Sequence, residues 1–495
     1  MKRRLTLAAP AAVIASLVLP GAAFGAETPI LDTPEASINA MWVIVAACLV
    51  MFMQAGFLLL EVGFSRAKNA GAGVAKVLVN FSIASLCYWA CGFALAFGGL
   101  GEIAGDHGFF LNVGSSIEEA GKSIPFVEIY SISPAAFMFF QFVFCAVSLA
   151  IVWGSTLERI KFSAYVIYAI VFSAVLYPVL SHWIFGAGWL QVNVGMQDFA
   201  GSTVVHLIGA TGAFAALLLL GPRIGKYDSE GKPRAIPGHS MPLVGLGVLI
   251  LWLGWFGFNP GSTLGAIGGR FAEVVVVTNL AAAAGVVAAV ATMHRFTKTI
   301  DIGMAGNGAI AGLVAITAPS GYVEYWAAPI IGAIAGVIVV LGVLGIEKLI
   351  DDPVGALSAH DLTGIWGTLA CGFFTSPRLA ALNEVGDPGL WYSGSFSQLG
   401  AQALGIVVAF GCVFGVSYAI FWLLKKTVGL RVSPEEEDAG LDISEHGMYG
   451  YPEQFIPQPE YSTGVLPVGG GHLRGGSPGT AVVSPTMTTD SEEGA

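Results

Sequence analysis

Charge is scarce in this chain. Asp, Glu, Lys and Arg make up only 11% of its 495 residues, whereas soluble domains carry about 25%. So thin a polar coat excludes an ordinary water-soluble domain. No stretch interleaves basic residues with aromatics, which excludes the electrostatic footprint of a nucleic-acid binder. The formal charge of −11 says little about partners, because the acidic residues gather in loops and in the tail. Cysteine is also sparse. Cys48, Cys87, Cys91, Cys145, Cys371 and Cys412 all lie inside apolar runs, and none forms a C-x-x-C pair. They read as small buried hydrophobes rather than as disulfides or a zinc site. No metal, cofactor or enzyme chemistry is expected.

What the chain does have is apolar length. Hydrophobic residues reach 55%, and runs long enough to cross about 30 Å of hydrocarbon recur throughout. Residues 1–26, "MKRRLTLAAPAAVIASLVLPGAAFGA", show a basic start, a short apolar stretch and a small-residue exit, the pattern of a secretory signal peptide. Eleven apolar segments follow, at about 40–64, 77–99, 134–155, 163–185, 200–221, 242–262, 271–293, 301–319, 326–349, 358–376 and 398–424. With the mature N-terminus outside, fifteen Lys and Arg fall in inner loops and the start of the tail, against Lys122, Arg270 and Arg378 outside. That asymmetry obeys the positive-inside rule and puts the C-terminus in the cytoplasm. The expected class is therefore an all-α polytopic membrane protein, with a transmembrane domain over residues 27–426. An acidic cytoplasmic segment over 427–462 and a Gly/Pro/Ser/Thr-rich, disordered tail over 463–495 complete the chain. Gly332 and Gly336, four apart in "GAIAGVIVVLG", predict close helix packing.

One pattern is written twice. "DFAGSTVVH" (Asp198 to His206) and "DPVGALSAH" (Asp352 to His360) both read D-x-x-G-x-x-x-x-H. The first enters span five from outside and the second enters span ten from inside. Eight α-helical residues rise about 12 Å, so both histidines arrive near the midplane. An inverted repeat, spans one to five against six to ten, accounts for this, and such repeats place substrate sites at the midplane. Ionisable groups there are expensive and line internal pathways. The plainer reading, two histidines each satisfied by local backbone, does not account for the matching offset. Capping of helix amides is the plainer reading of Asp198 and Asp352.

Together with "MQAGFLLLEVGFSRAKN", "ERIKFSAY", "GWFGFNPGS" and "GLRVSPEEEDAGLDISEHG", these stretches resemble the ammonium transporter family, the Amt/Mep/Rh group, in order over most of residues 40–450. The resemblance implies eleven helices, a homotrimer and one pore per subunit in the cytoplasmic membrane. It places Phe140, Phe185 and Ser262 in an outer vestibule that recruits ammonium, with Asp198 beside the path. It makes Phe144 and Phe258 a stacked gate, His206 and His360 a twin-histidine pair, and Trp255 a further pore-lining aromatic. Without it, the phenylalanines and Trp255 read as helix packing, and Ser262 as a helix end. Ammonium or ammonia is the implied substrate, with methylammonium as an analogue. The acidic tail resembles the segment that couples subunits and meets the trimeric PII signal protein.

Two positions depart from the family pattern. Phe185 stands where Trp is common, with Trp183 nearby, and Phe is the weaker cation–π partner. Asp361 follows His360 where Gly is common, and the helical turn is expected to point it away from His206 toward a packing or subunit contact. His182 reads as structural, and Glu61, Arg66, Lys68 and Asn69 as an inner packing and charge cluster. Three other functions compete: a Rh-like neutral channel for ammonia or carbon dioxide, an ammonium sensor with little flux, and a metalloenzyme built on His206, His360 and a carboxylate. The last suffers from the distance between each Asp and its own His.

Overall fold

The structure, a computed structural model, describes residues 33–114 and 116–455. The signal-peptide segment 1–26 and the tail from 463 onward lie outside the described residues. Described residues up to Tyr451 form one compact helical unit, and Pro452–Phe455 forms a short helix in a second unit.

Nine helices among the described residues are long and apolar enough to cross a membrane, and Ile302–Thr317 is a shorter apolar one. In chain order the long elements are α1 (Pro34–Phe64), α2 (70–97), α3 (Pro134–Ser155), α4 (162–185), α5 (202–220) and α6 (Met241–Gly261). They continue with α7 (Arg270–Thr297), α8 (Ile302–Thr317), α9 (Ala327–Ile346), α10 (357–374) and α11 (Ser397–Thr427). The chain is a multi-pass helical membrane protein. α3 and α5 are buried along most of their length, whereas α7, α9 and α11 expose apolar faces. Such faces suit lipid or another membrane subunit, not water.

Small residues set the closest approaches. A Cβ on Gly332 would stand 2.0 Å from the Ala281 carbonyl oxygen, and one on Gly336 would stand 2.4 Å from that of Gly285. The four-residue spacing therefore lets α9 lie directly against α7, as the sequence predicts. The cysteines are free, but only Cys145 and Cys371 are buried, and Cys48 is exposed. Cys48 stands on the outer surface of an apolar helix, where apolarity does not imply an interior position.

Two boundaries differ from the hydropathy reading. α1 begins at Pro34, capped by Thr33, and α2 begins at Ala70, seven residues before the apolar run. The hydropathy signal is interrupted by Lys76, which lies inside α2 and is fully buried rather than in a loop. Its ammonium sits 3.8 Å from the Trp153 ring centre and 3.8 Å from Glu445 Oε2. Neither partner is local in sequence.

Candidate functional site

The repeated D-x-x-G-x-x-x-x-H motif resolves into two similar backbone devices. Gly201 and Gly355, the fourth residues, have φ of 121° and 75°, a region that favours glycine. Each is followed by a π-turn, Ser202–Leu207 and Leu357–Leu362, that carries the histidine. The α-helical rise assumed from sequence is thus replaced by a wider turn, a device frequent at functional sites. Asp198 is the cap of its turn. Its Oδ1 accepts from the amides of Gly201 (2.7 Å) and Ser202 (3.1 Å), and its Oδ2 from Thr203 (2.9 Å) and Val204 (3.1 Å). Asp352 accepts from the Leu357 amide at 2.7 Å. The first turn is anchored to α10, where the Thr203 and Thr368 hydroxyls meet at 2.6 Å, and to α8, where Ser202 Oγ donates to the Val314 carbonyl at 2.7 Å.

This crossing brings the two histidines into contact. His206 Nδ1 and His360 Nδ1 are 3.3 Å apart, and both side chains are buried. From the pair a file of rings runs toward the end of the bundle opposite the tail. Ring centres are 5.6 Å apart for His206 and Phe258, 4.1 Å for Phe258 and Phe144, and 4.6 Å for Phe144 and Phe140. Phe144 and Phe258 stack within 27° of parallel. Trp255 flanks His206 at 5.2 Å, held by an indole bond of 3.0 Å to Thr317 Oγ1.

The file opens at Phe140 and Phe144 into a cavity of about 110 Å³, which Phe185, Asp198 and Ser262 also line. Ser262 donates to the Phe258 carbonyl at 2.9 Å, which leaves its lone pairs available as acceptors. Trp183 is not among the residues lining this cavity. It turns aside to donate to the Ile103 carbonyl at 2.8 Å and to pack on Trp189. Gln141 in α3 and Tyr130 and Tyr322 in turns line the same cavity and were not singled out by sequence, where neither a lone polar residue in an apolar helix nor a loop tyrosine carries a positional signal.

On the tail side of the histidines a small cavity of about 20 Å³ is lined by His360, Glu61 and Asn307. Asn307 and Val354 also border a wider cavity of about 380 Å³ that includes Asp352, Arg223 and Lys226. Of the site residues drawn from the sequence, Phe140, Phe144, Phe185, Asp198 and Ser262 line the first cavity and His360 the small one, while Phe258, His206 and Trp255 are in ring contact between them. Asp361 faces Thr211 of α5. His182 is structural, with Nδ1 2.8 Å from the Ala96 carbonyl and Nε2 against that of Gly101.

The tail end carries a charge network of which the sequence cluster included only Arg66. Glu158 accepts from the Arg66 amide and guanidinium, at 2.6 and 2.7 Å. Asp351 accepts from the Arg223 amide at 2.8 Å and from its guanidinium at 2.9 and 2.8 Å. Burial opposes the Asp351 charge, but the Arg223 hydrogen bonds and the nearby Arg159 and Arg223 charges outweigh it and hold the carboxyl down at about 2. Burial of Arg159 brings its guanidinium down to about 10 despite Asp351.

Residues 41–451 match the model of the Ammonium Transporter Family. The chain belongs to that family. Ammonium transporter Amt2 of Archaeoglobus fulgidus is 45% identical over 459 residues, covering 90% of this chain and 95% of the relative. Ammonium transporter 3 of Dictyostelium discoideum is 34% identical over 428 residues, 84% of this chain and 95% of its own. Among solved structures, a sensor Amt protein superposes with a TM-score of 0.75 at 38% identity, covering 83% of this chain and 98% of that one. Mep2 of Candida albicans does so with a TM-score of 0.73 at 28% identity, covering 82% and 89%. Membership in the ammonium transporter family agrees with the resemblance read from the motifs.

Proposed function

We propose that this member of the family moves ammonium nitrogen selectively across the cytoplasmic membrane, with the tail in the cytoplasm and the N-terminus outside. The described helices fit eleven spans when Ile302–Thr317 and 357–374 are added to the nine long ones, arranged as an inverted five-helix repeat and assembled as a homotrimer with one pore per subunit. The observation that carries the reading is the continuous file Phe140, Phe144, Phe258, His206, His360 between two cavities.

Ammonium is cationic and donates four hydrogen bonds. The faces of Phe140 and Phe185 attract the charge, more strongly as water is removed, and Ser262 accepts one donated bond. Potassium donates none, so an acceptor-based site rejects it through the bonds left unmade. At the stacked Phe gate the low-dielectric surroundings favour the neutral form, so ammonium gives up its proton there and ammonia passes the histidines. The two Nδ1 atoms bond each other, one as donor and one as acceptor, which fixes the rings and leaves their Nε2 atoms to hold ammonia or relay a proton. Asp198 serves this site as the cap that fixes the His206 turn. The segment 427–451 regulates the inner opening and is the docking element for a trimeric PII protein.

Purified protein in proteoliposomes tests the proposal. A jump in ammonium should alkalinise the lumen or evoke a current, and potassium should do neither. A second reading, an ammonium sensor with little flux, is favoured by the likeness to the sensor Amt protein. Saturable ammonium binding without flux would select it. Equal passage of ammonia and carbon dioxide without charge would select a Rh-like gas channel.

A further inference from the structure

The Glu61 carboxyl is not used by the transport scheme above, yet it stands beside the path. Glu61 lies in α1 within the apolar run "FLLLEVGF", is buried to 2% exposure, and lines the small cavity with His360. Its Oε2 has no hydrogen-bond partner among the described residues. The groups facing it are Lys76 on α2, Trp153 on α3 and Tyr165 on α4, with His360 across the cavity. A cavity of about 20 Å³ meets the volume that one water needs, and a water there requires two or more polar partners. Glu61, His360 and Asn307, each with a polar side chain, are among the residues that line that space. Nδ1 of His360 is taken up with His206, which leaves Nε2 for the cavity.

We propose that Glu61 is the proton-exit group of the pathway, taking from the twin histidines the proton that ammonium releases. The inference rests on the transport reading given above. When His360 is protonated, its Nε2–H is donated to the cavity water, and that water passes a proton to a Glu61 oxygen. The imidazole returns to neutral, the water is unchanged, and Glu61 becomes a neutral carboxylic acid. Loss of that proton into the wider tail-end cavity, which begins at Asn307, restores the carboxylate. Lys76 is the positive charge facing this carboxyl and lowers the cost of the anion at this depth. The proton and ammonia thus leave by the same inner opening but through different groups.

The test is the charge moved per ammonia taken up, measured as current and luminal alkalinisation on the same proteoliposomes. For Glu61→Gln this ratio is expected to fall about ten-fold or more, the scale of losing a positioned proton acceptor, and Glu61→Asp is expected to recover it. An unchanged ratio in Glu61→Gln overturns the proposal. A loss of current and uptake in parallel, in correctly assembled protein, also overturns it, because Glu61 would then be only the counter-ion of Lys76. Should the Gln variant fail to assemble, Gly154→Ala keeps the acid but places a methyl group 3.0 Å from Glu61 Oε1. It too should lower the ratio, and an unchanged ratio again overturns the proposal. Clear uptake without any current in the unaltered protein would overturn the proton exit and leave ammonia transport standing. Neither uptake nor current would overturn transport itself.

Discussion

Ser262 commits its proton to the backbone of Phe258 and so faces the outer cavity as an acceptor only. Replacing it with Ala removes one bond to a cation, worth about 1.5–3 kcal/mol. The apparent KM for ammonium should therefore rise about ten-fold or more while the maximal rate stays close to that of the parent. An unchanged KM would remove Ser262 from recruitment. His206→Gln keeps a polar side chain but cannot titrate. It should collapse or re-tune ammonium-over-potassium selectivity while the protein still assembles, read by paired flux assays, and unchanged selectivity would exclude the histidines. Asp351 sets an acid limit. Its folded pKa, about 2, lies below the ordinary 3.8, so its stabilisation is complete above about pH 4 and disappears as pH falls through 3.8 toward 2. The difference corresponds to about 2 kcal/mol. Thermal unfolding in detergent should show Asp351→Asn less stable than the parent at pH 7, with the gap closing below pH 3.

The π-turns mark the limit of what the sequence discloses at the level of elements. The Asp-Gly-His spacing was legible, and so was the meeting of His206 and His360, because two equal offsets from opposite ends lead to one depth. The wide turn was not legible. It depends on Gly201 and Gly355 adopting positive φ and on α5 crossing α10, and neither leaves a periodic signal. Lys76 was misplaced for a related reason. A charge at the border of an apolar run reads as a helix end unless its partner is known, and Glu445 lies hundreds of residues from Lys76. Gly201→Ala tests the device. At φ 121° a Cβ is strained and would stand 2.7 Å from Val205 Cγ2. The variant should lose transport as fully as a His206 variant, with little change in helix content by circular dichroism. Gly332→Val should act differently, forcing α9 off α7 and lowering the unfolding temperature by several degrees.

Across the whole molecule, the tail segment is the part most firmly built into the tail-end surface. Asp442 accepts from the amides of Gly71 (3.0 Å), Ala72 (2.8 Å) and Gly450 (2.8 Å). Glu437 accepts from the Ile224 amide at 2.7 Å, and Glu445 from that of Phe162 at 2.8 Å. Asn69 closes the set by accepting from the Leu441 amide at 2.9 Å. Asp442→Ala should release the segment, seen as faster amide exchange at Gly71 and Ala72 and as protease cleavage after Lys68. No change in exchange would mean that the remaining contacts suffice. The docking also bears on how the protein is made. The starts of helices α2 and α4 leave the ribosome hundreds of residues before the segment that satisfies their amides. Until residues 437–445 emerge, the starts of both helices wait with open donors, and Lys76 waits without Glu445. A nascent chain of this protein can therefore insert all its long helices and still be unfinished, the acidic stretch 435–445 acting as the closing stitch of biogenesis.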